Sequence, residues 1–354
     1  MDSDFLKKAE EYSATLLPNI ELKINNQLST LALKPKATVK EAINRYDLIY
    51  KTVCVDSRGN TFFFKANLVN KKDRKVKDFL LELLFYKSLL NTESEIKEKF
   101  PRYCISRYVK SGYENFYWLL REYTKGEVMG NWFSFDERFL NNTYLDILVD
   151  YPDFVQFLQS KLSLSEEFNF SELPRKDYYW LKKEIEGLNP VLTDVLGDTS
   201  FKLILKEIEK NKKLLNDTCQ YLLHRDNHPK NIIAVNQGRV SLLDWTDVSI
   251  GSYVYDFADL WVHAWKNPQW QKAFLEKFTK KLANKNEALL LFKILLFYLL
   301  AVEIKNVSND HLLSFAVKKE EMKKFQEEAI SAHSKTLNYA CHNFEKIYEN
   351  SSNL

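Results

Sequence analysis

Residues Leu222 to Trp245 read LLHRDNHPKNIIAVNQGRVSLLDW and place Asp226, Asn231 and Asp244 within nineteen positions. An apolar lead-in of Tyr221, Leu222 and Leu223 runs into the polar cluster His224, Arg225, Asp226, Asn227 and His228. Pro229 then stops regular structure, because it lacks an N–H and fixes its own φ. That is the pattern of a buried strand followed by a polar loop. Beyond it, Ile232 to Val235 reads as a strand, Asn236, Gln237 and Gly238 as a turn, and Val240 to Leu243 as a returning strand. If Val235 pairs with Arg239, antiparallel register sets Asn231 opposite Leu243, with Asp244 one step further. Two oxygen-bearing side chains would then meet at the open end of one hairpin.

The surrounding chain bounds what this stretch can serve. With 354 residues and 45% hydrophobic content there is enough apolar material for one large or two ordinary domains. Only eight Gly and eight Pro argue against long linkers or low-complexity tails. A formal charge of +3 is small for this length and argues against a dedicated nucleic-acid or membrane binder. The charge is uneven: Met1 to Gly126 carries 23 Lys/Arg against 16 Asp/Glu, the remainder 28 against 32. A basic first part suits a polyanionic ligand, and an acidic second part tolerates a cationic one, although solvated faces produce such imbalances too. Cys54, Cys104, Cys219 and Cys341 are scattered without a CxxC, which points to free thiols in a reducing compartment. The acidic opening MDSDFLKKAEEY has no apolar h-region. The longest apolar run, Ala288 to Val302, holds Lys293 and is shorter than the ~20 residues a span needs. A cytoplasmic protein is expected.

Along the chain, Phe5 to Leu16 reads as a short amphipathic helix. Ile20 to Lys65 reads as strands over Leu28 to Leu33, Tyr46 to Val55 and Thr61 to Lys65, with a hairpin turn at Asp56 to Asn60. Lys65 shares a strand face with Phe63. A lone lysine at a strand end is ordinarily a solvated edge charge. Val76 to Leu90 has helical spacing with Glu82 embedded among apolar residues, where an acid invites a partner: Tyr86 or Lys87 locally, or Lys65 at long range. Tyr103 to Tyr123 reads as two strands turning at Ser111 and Gly112, and Lys125 and Gly126 break the pattern. Helices are expected over Phe139 to Leu148, Phe154 to Leu162, Tyr178 to Glu186, Phe201 to Leu215, Phe257 to Trp265, Gln271 to Leu282, Ala288 to Val302 and Lys318 to Tyr348, with stops at Pro152, Pro174, Pro190 and Gly197.

Asn231 and Asp244 offer hard oxygen donors of the kind that hold magnesium with substrate phosphates. A carboxylate just upstream, Asp226, can take a proton from an attacking hydroxyl. Zinc is the main alternative, from His224, Asp226 and His228 with Cys219 nearby. Against it, Pro229 breaks the stretch and no further cluster completes a site.

HRDNHPKN followed by LLDW resembles the catalytic-loop and metal-binding motifs of the aminoglycoside phosphotransferase and choline kinase superfamily, small-molecule relatives of protein kinases. The resemblance implies an α+β, two-lobed, kinase-like fold. Residues 1–124 would form a nucleotide-binding lobe, a small antiparallel sheet with one helix, and residues 125–354 a larger helical catalytic and substrate lobe. It further implies that Asp226 is the catalytic carboxylate and that Asn231 and Asp244 hold Mg2+ at the phosphates of ATP. Lys65 would bind the α- and β-phosphates and pair with Glu82, and backbone groups around Glu122 and Tyr123 would meet the adenine. His228 would stabilise the loop, His224 would pack within it, and Asp256 would cap a helix and brace the loop.

Three features depart from the family pattern. No Gly lies between Leu33 and Tyr46, so amides around Thr38 to Asn44 would have to cradle phosphate. Arg225 gives HRD, where many antibiotic kinases have Gly. Thr246 replaces a commonly acidic residue. Separately, no activation segment is evident between Trp245 and Asp256, which argues against a protein substrate. The implied reaction is γ-phosphoryl transfer from ATP to a hydroxyl of a small molecule: an aminoglycoside or other cationic antibiotic, an amino alcohol or a sugar metabolite. Asp256, Asp259 and Glu303 with Trp261 and Trp265 are candidates for a cationic pocket, or simply core residues. A non-catalytic nucleotide-binding regulator on the same scaffold is the alternative, and a protein kinase a third reading.

Overall fold

A computed structural model describes residues 18–44, 49–68, 74–113, 116–235, 238–282, 284–309, 319–344 and 347. The helix expected over Phe5 to Leu16 and the hairpin tip at Asn236 and Gln237 lie outside them. The chain forms two compact units. Unit 1 comprises Met1–Lys125, Leu164–Phe168 and Leu243–Asp247, and unit 2 comprises Gly126–Ser163, Asn169–Leu242 and Val248–Leu354.

Unit 1 opens with helix α1 (18–30). The strand expected over Leu28 to Leu33 is instead the last turn of this helix and its exit. Ile20, Ile24, Leu28 and Leu31 recur at intervals of four and three, and this stripe packs into the core. Ala32, at φ 54°, closes the helix in the left-handed conformation, with the Leu33 amide reaching back to the Leu28 carbonyl at 2.9 Å. Glycine usually marks such an exit, and its absence hid the helix. There follow β1 (Lys34–Pro35), α2 (Val39–Ala42), β2 (Ile43–Asn44), β3 (Ile49–Val55), β4 (Thr61–Asn67), α3 (Arg74–Ser88), α4 (Glu93–Lys99), β5 (Tyr103–Cys104), β6 (Tyr108–Gly112) and β7 (Tyr117–Glu122). Helices α1, α2 and α4 thus join the single expected helix, α3. The antiparallel sheet runs β1-β3-β4-β7-β6, with β2 also on β3. Its turn after β3 is fixed by Asp56 Oδ1, which accepts from the amides of Arg58 and Asn60, and by Gly59 at φ 84°. One face carries Tyr50, Cys54, Phe64, Ala66, Trp118 and Leu120 against α1. By the period of two, Lys51, Lys65 and Arg121 project from the other.

Unit 2 contains β8 (Glu127–Val128), α5 (Asn142–Val149), α6 (Tyr151–Leu162), α7 (Tyr178–Gly187), α8 (Asn189–Leu196), α9 (Asp198–Lys210), α10 (Lys212–Asp217), β9 (Tyr221–Leu223), β10 (Ile232–Val235), β11 (Arg239–Leu242), β12 (Ser249–Gly251), α11 (Val254–His263), α12 (Pro268–Lys280), α13 (Lys285–Val307) and α14 (Lys319–His342). Side-chain caps start several helices: Asn141 for α5, Asp177 for α7, Asn267 for α12 and Asn284 for α13. The expected Phe201 to Leu215 helix breaks at Asn211, and α8 was not anticipated. Pro190 and Pro152 sit in first turns, where a missing N–H costs nothing, so they begin helices as well as ending them. Helix α13 is apolar on all sides and packs on α11 and α14. Among the described residues no helix is long and apolar enough to cross a membrane. Strand β10 pairs with β11 from Val235↔Arg239 to Ile232↔Leu242, the register read from the sequence. It pairs on its other side with β8, where a Cβ on Gly126 would collide with the Ala234 carbonyl.

Candidate active site

In unit 1 the site begins with a cross-strand pair. The β3–β4 register sets Lys51 directly opposite Lys65. Lys65 is buried, and its Nζ donates to Glu82 Oε2 on α3 and to Asp244 Oδ1, each at 2.6 Å. Lys51, 42% exposed, donates to Asp244 Oδ2 at 2.7 Å, and the Thr246 hydroxyl donates to Asp244 Oδ1 at 3.2 Å. Glu82 therefore pairs at long range and not within its own helix. Burial works against the charge on Lys65, but the Asp244 and Glu82 carboxylates outweigh it and hold the ammonium above its ordinary range. Burial likewise opposes ionisation of Asp244, and Lys65 and Lys51 outweigh it, holding this carboxyl well below the usual range. Asp244 sits at φ 62°, and the next residue, Trp245, anchors it by stacking on Phe85 of α3 at 4.1 Å. Lys51 was not singled out from the sequence. Its signal was there, since the Asp56 to Asn60 turn fixes the register that opposes it to Lys65.

The amides of Glu122 and Tyr123, expected to lie near the base, are committed within the unit. The Glu122 amide donates to the Arg107 carbonyl at 2.9 Å and the Glu122 carbonyl accepts from the Ser106 hydroxyl. The Tyr123 amide donates to the Thr61 carbonyl at 3.1 Å. Both amide hydrogens are thus spent inside the unit, leaving carbonyl lone pairs. Part of the stretch expected to cradle phosphate is likewise committed within the unit. The Thr38 amide donates to Glu41 Oε2, and the Glu41 and Ala42 amides donate to the Thr38 carbonyl, because these residues close a one-turn helix.

In unit 2 the polar loop after β9 is held from beneath by Asp256. Its carboxylate accepts from the His224 amide at 2.8 Å, the Arg225 amide at 2.9 Å and the Tyr151 hydroxyl at 3.0 Å. Arg225, at φ 68°, takes the left-handed turn that this bracing supports. Burial pushes the Asp256 carboxyl up to about 7, with the two amides pulling the other way. Asp256 lies in the first turn of α11 but does not cap it, since its acceptors are used by the loop. The His224 ring is buried beneath the loop.

Asp226 is 28% exposed. Its Oδ2 accepts from Asn231 Nδ2 at 2.7 Å, and its carbonyl accepts from the same nitrogen at 2.9 Å. His228 Nε2 lies 3.1 Å from Asp226 Oδ1 without hydrogen-bond alignment, and the His228 ring packs edge-on to Trp132 at 4.2 Å. Behind it His263 sits between carboxylates, 3.6 Å from Asp259 and 3.9 Å from Glu303. Burial raises the Asp259 carboxyl to about 6 and raises Glu303 as well. Trp261 is not a pocket residue: its Nε1 bonds the Gln271 carbonyl and its ring packs on Phe292. Trp265 packs on Phe325 and His333. Cys219 bonds the Ile250 carbonyl, and among the described residues no group of three His, Cys, Asp or Glu is arranged to hold a metal, so no zinc set forms.

Residues 186–287, which include Asp226, Asn231, Asp244 and Asp256, match the model of the phosphotransferase enzyme family APH. Among solved structures, the chain resembles the GDP complex of a mutant aminoglycoside 2'-phosphotransferase IIIa with a TM-score of 0.53 at 13% identity, covering 92% of this chain and 99% of that one. It resembles an aminoglycoside phosphotransferase from Alicyclobacillus acidocaldarius with a TM-score of 0.50 at 11% identity, over 86% and 91% of the two chains. The streptomycin–ATP ternary complex of APH(2")-IIa gives 0.50 at 17%, over 88% and 97%. No curated protein matches in sequence. At these identities the structural likenesses establish the α+β fold of the kinase-like phosphotransferases. The family match over residues 186–287 supports an enzyme of the phosphotransferase class.

Proposed function

We propose that this chain transfers the γ-phosphoryl group of a nucleoside triphosphate, ATP by the family resemblance, to a hydroxyl of a small molecule. The carrying observation is Lys65, buried and fixed between Glu82 and Asp244 at 2.6 Å each. A buried ammonium held at a partly open carboxylate, with a second lysine beside it, is a phosphate-side arrangement. On this reading unit 1 binds the nucleotide and unit 2 the acceptor.

The donor set fits magnesium. Asp244 is ionised and so offers a hard anionic donor, whose two oxygens now accept from ammonium groups that a divalent cation would displace. Asn231 commits its Nδ2 to Asp226, which leaves the amide oxygen as the donor for a hard cation. Asn231 and Asp244 are accordingly the proposed ligands, and magnesium, when bound, neutralises phosphate charge. Lys65 and Lys51 hold phosphate oxygens. Asp226, oriented by Asn231 and open to solvent, takes the acceptor's hydroxyl proton.

Between Trp245 and Asp256 the chain forms a short 3-10 turn, β12 and the start of α11, with no extended loop to seat a protein substrate. An aminoglycoside, another cationic antibiotic, an amino alcohol or a sugar remains the acceptor class, handled in a reducing, cytoplasmic compartment suited to free cysteines. The test is transfer of labelled phosphate from nucleoside triphosphate across a panel of hydroxyl compounds, repeated with Asp226→Asn. Turnover should fall roughly 10² to 10⁴-fold with nucleotide binding retained. Equal turnover in the variant rejects the base, and binding without turnover on any acceptor favours a regulator.

A further inference from the structure

Arg121, next to the last residue of β7, is a buried cation without a counter-ion. It is 3% exposed, its Nε has no hydrogen-bond partner, and among the described residues no carboxylate pairs with it. Two rings flank it instead, Phe63 at 4.4 Å and Tyr86 at 5.3 Å. The Tyr86 hydroxyl is also buried without a partner. Aromatic faces compensate a desolvated guanidinium only in part. The neighbouring buried charges, Lys65 and Glu82, are paired at 2.6 Å. Two such groups side by side, unpartnered among the described residues, mark a place that a bound ligand can complete.

The strand register indicates which part of a ligand reaches it. Lys65 opposes Leu119 and Phe63 opposes Arg121, so Arg121 shares the Lys65 face. It lies two residues further toward Glu122, about 7 Å at ~3.4 Å per residue. Lys65 belongs to the phosphate end, and Arg121 adjoins the base end. A guanidinium can only donate. Adenine carries an amino donor where guanine carries its O6 acceptor, and arginine opposite guanine O6 and N7 is the commonest base-specific pairing of a side chain.

We propose that Arg121 selects the purine: its guanidinium donates to the ring carbonyl of the base and favours guanine or hypoxanthine nucleotides over adenine ones. This rests on the nucleotide-binding reading of unit 1 and redirects the donor from ATP toward GTP or ITP.

Calorimetric titration of the full chain with ADP, GDP and IDP in magnesium tests it. GDP and IDP should bind roughly tenfold or more tightly than ADP, and Arg121→Met should narrow the gap to within about twofold. ADP binding as tightly as GDP, IDP siding with ADP, or a gap that survives in Arg121→Met each overturns the selection. The three nucleotides are compared on the unaltered chain, so the result stands even where the variant does not fold. If none of the three binds, the nucleotide reading itself fails and the selection falls with it, an outcome distinct from tight ADP and weak GDP.

Discussion

Lys65 and Asp244 tie the chemistry of the site to its stability. The Asp244 carboxyl is depressed in the folded chain, so its contribution is present above the ordinary aspartate range and lost as pH falls through the folded value. Lys65 is raised, so its contribution is present below the ordinary lysine range and lost as pH rises through the folded value. Stability from this pair should be flat between about pH 4 and 10 and fall on both sides, as read by urea unfolding at stepped pH. Lys65→Met leaves Glu82 without its cation and Asp244 with Lys51 alone, and should cost about 3–5 kcal/mol at neutral pH, a loss that shrinks in acid as Asp244 protonates. A pH-independent loss would mean the ion pairs are not the source. Lys51 behaves differently because it is 42% exposed. Lys51→Ala should leave the unfolding midpoint in place while raising KM for nucleotide several-fold, on the order expected of one charged contact. An unchanged KM would remove Lys51 from the phosphate side.

At the scale of elements, helix α3 does two jobs, presenting Glu82 to Lys65 and Phe85 to Trp245. Phe85→Ala removes the stack that seats the fully buried Trp245 and should destabilise the chain by about 3–5 kcal/mol. Turnover should fall as well, since Asp244 is the residue next to Trp245. Full activity at a lowered melting temperature would show that Asp244 holds its place through the lysines alone. Much of this was legible in the sequence. The β10–β11 hairpin announced itself through two short β-branched runs around a Gly turn, and its register followed from the turn. Glu82 stood out because an acid on an apolar stripe is costly without a partner. What was missed shares a physical cause: the deciding signal was non-local or lacked its usual marker. Helix α1 ends at Ala32, where a glycine would have been seen. Helix α8 begins at a proline read only as a stop. Asp256 braces the loop as expected but caps no helix, since its three donors come from residues 31, 32 and 105 positions away.

For the whole molecule, the proposed metal is a reactant's companion and not a structural element. Asp244 is already neutralised by two lysines, so the fold does not depend on an added cation. Chelation with EDTA should abolish transfer, with magnesium restoring it, and should leave the thermal unfolding midpoint unshifted. A midpoint that drops on chelation would reveal a structural metal. The same segment, Leu243–Asp247, has a consequence for how the chain is made. Unit 1 is assembled from three pieces of sequence, and the last arrives only when residue 247 has left the ribosome. Until then Phe85 lacks its stacking ring and Lys65 has Glu82 but no second carboxylate. The unit synthesised first thus waits, incomplete, through the translation of β8 to β11, and the aspartate proposed to hold the metal arrives with the piece that closes it.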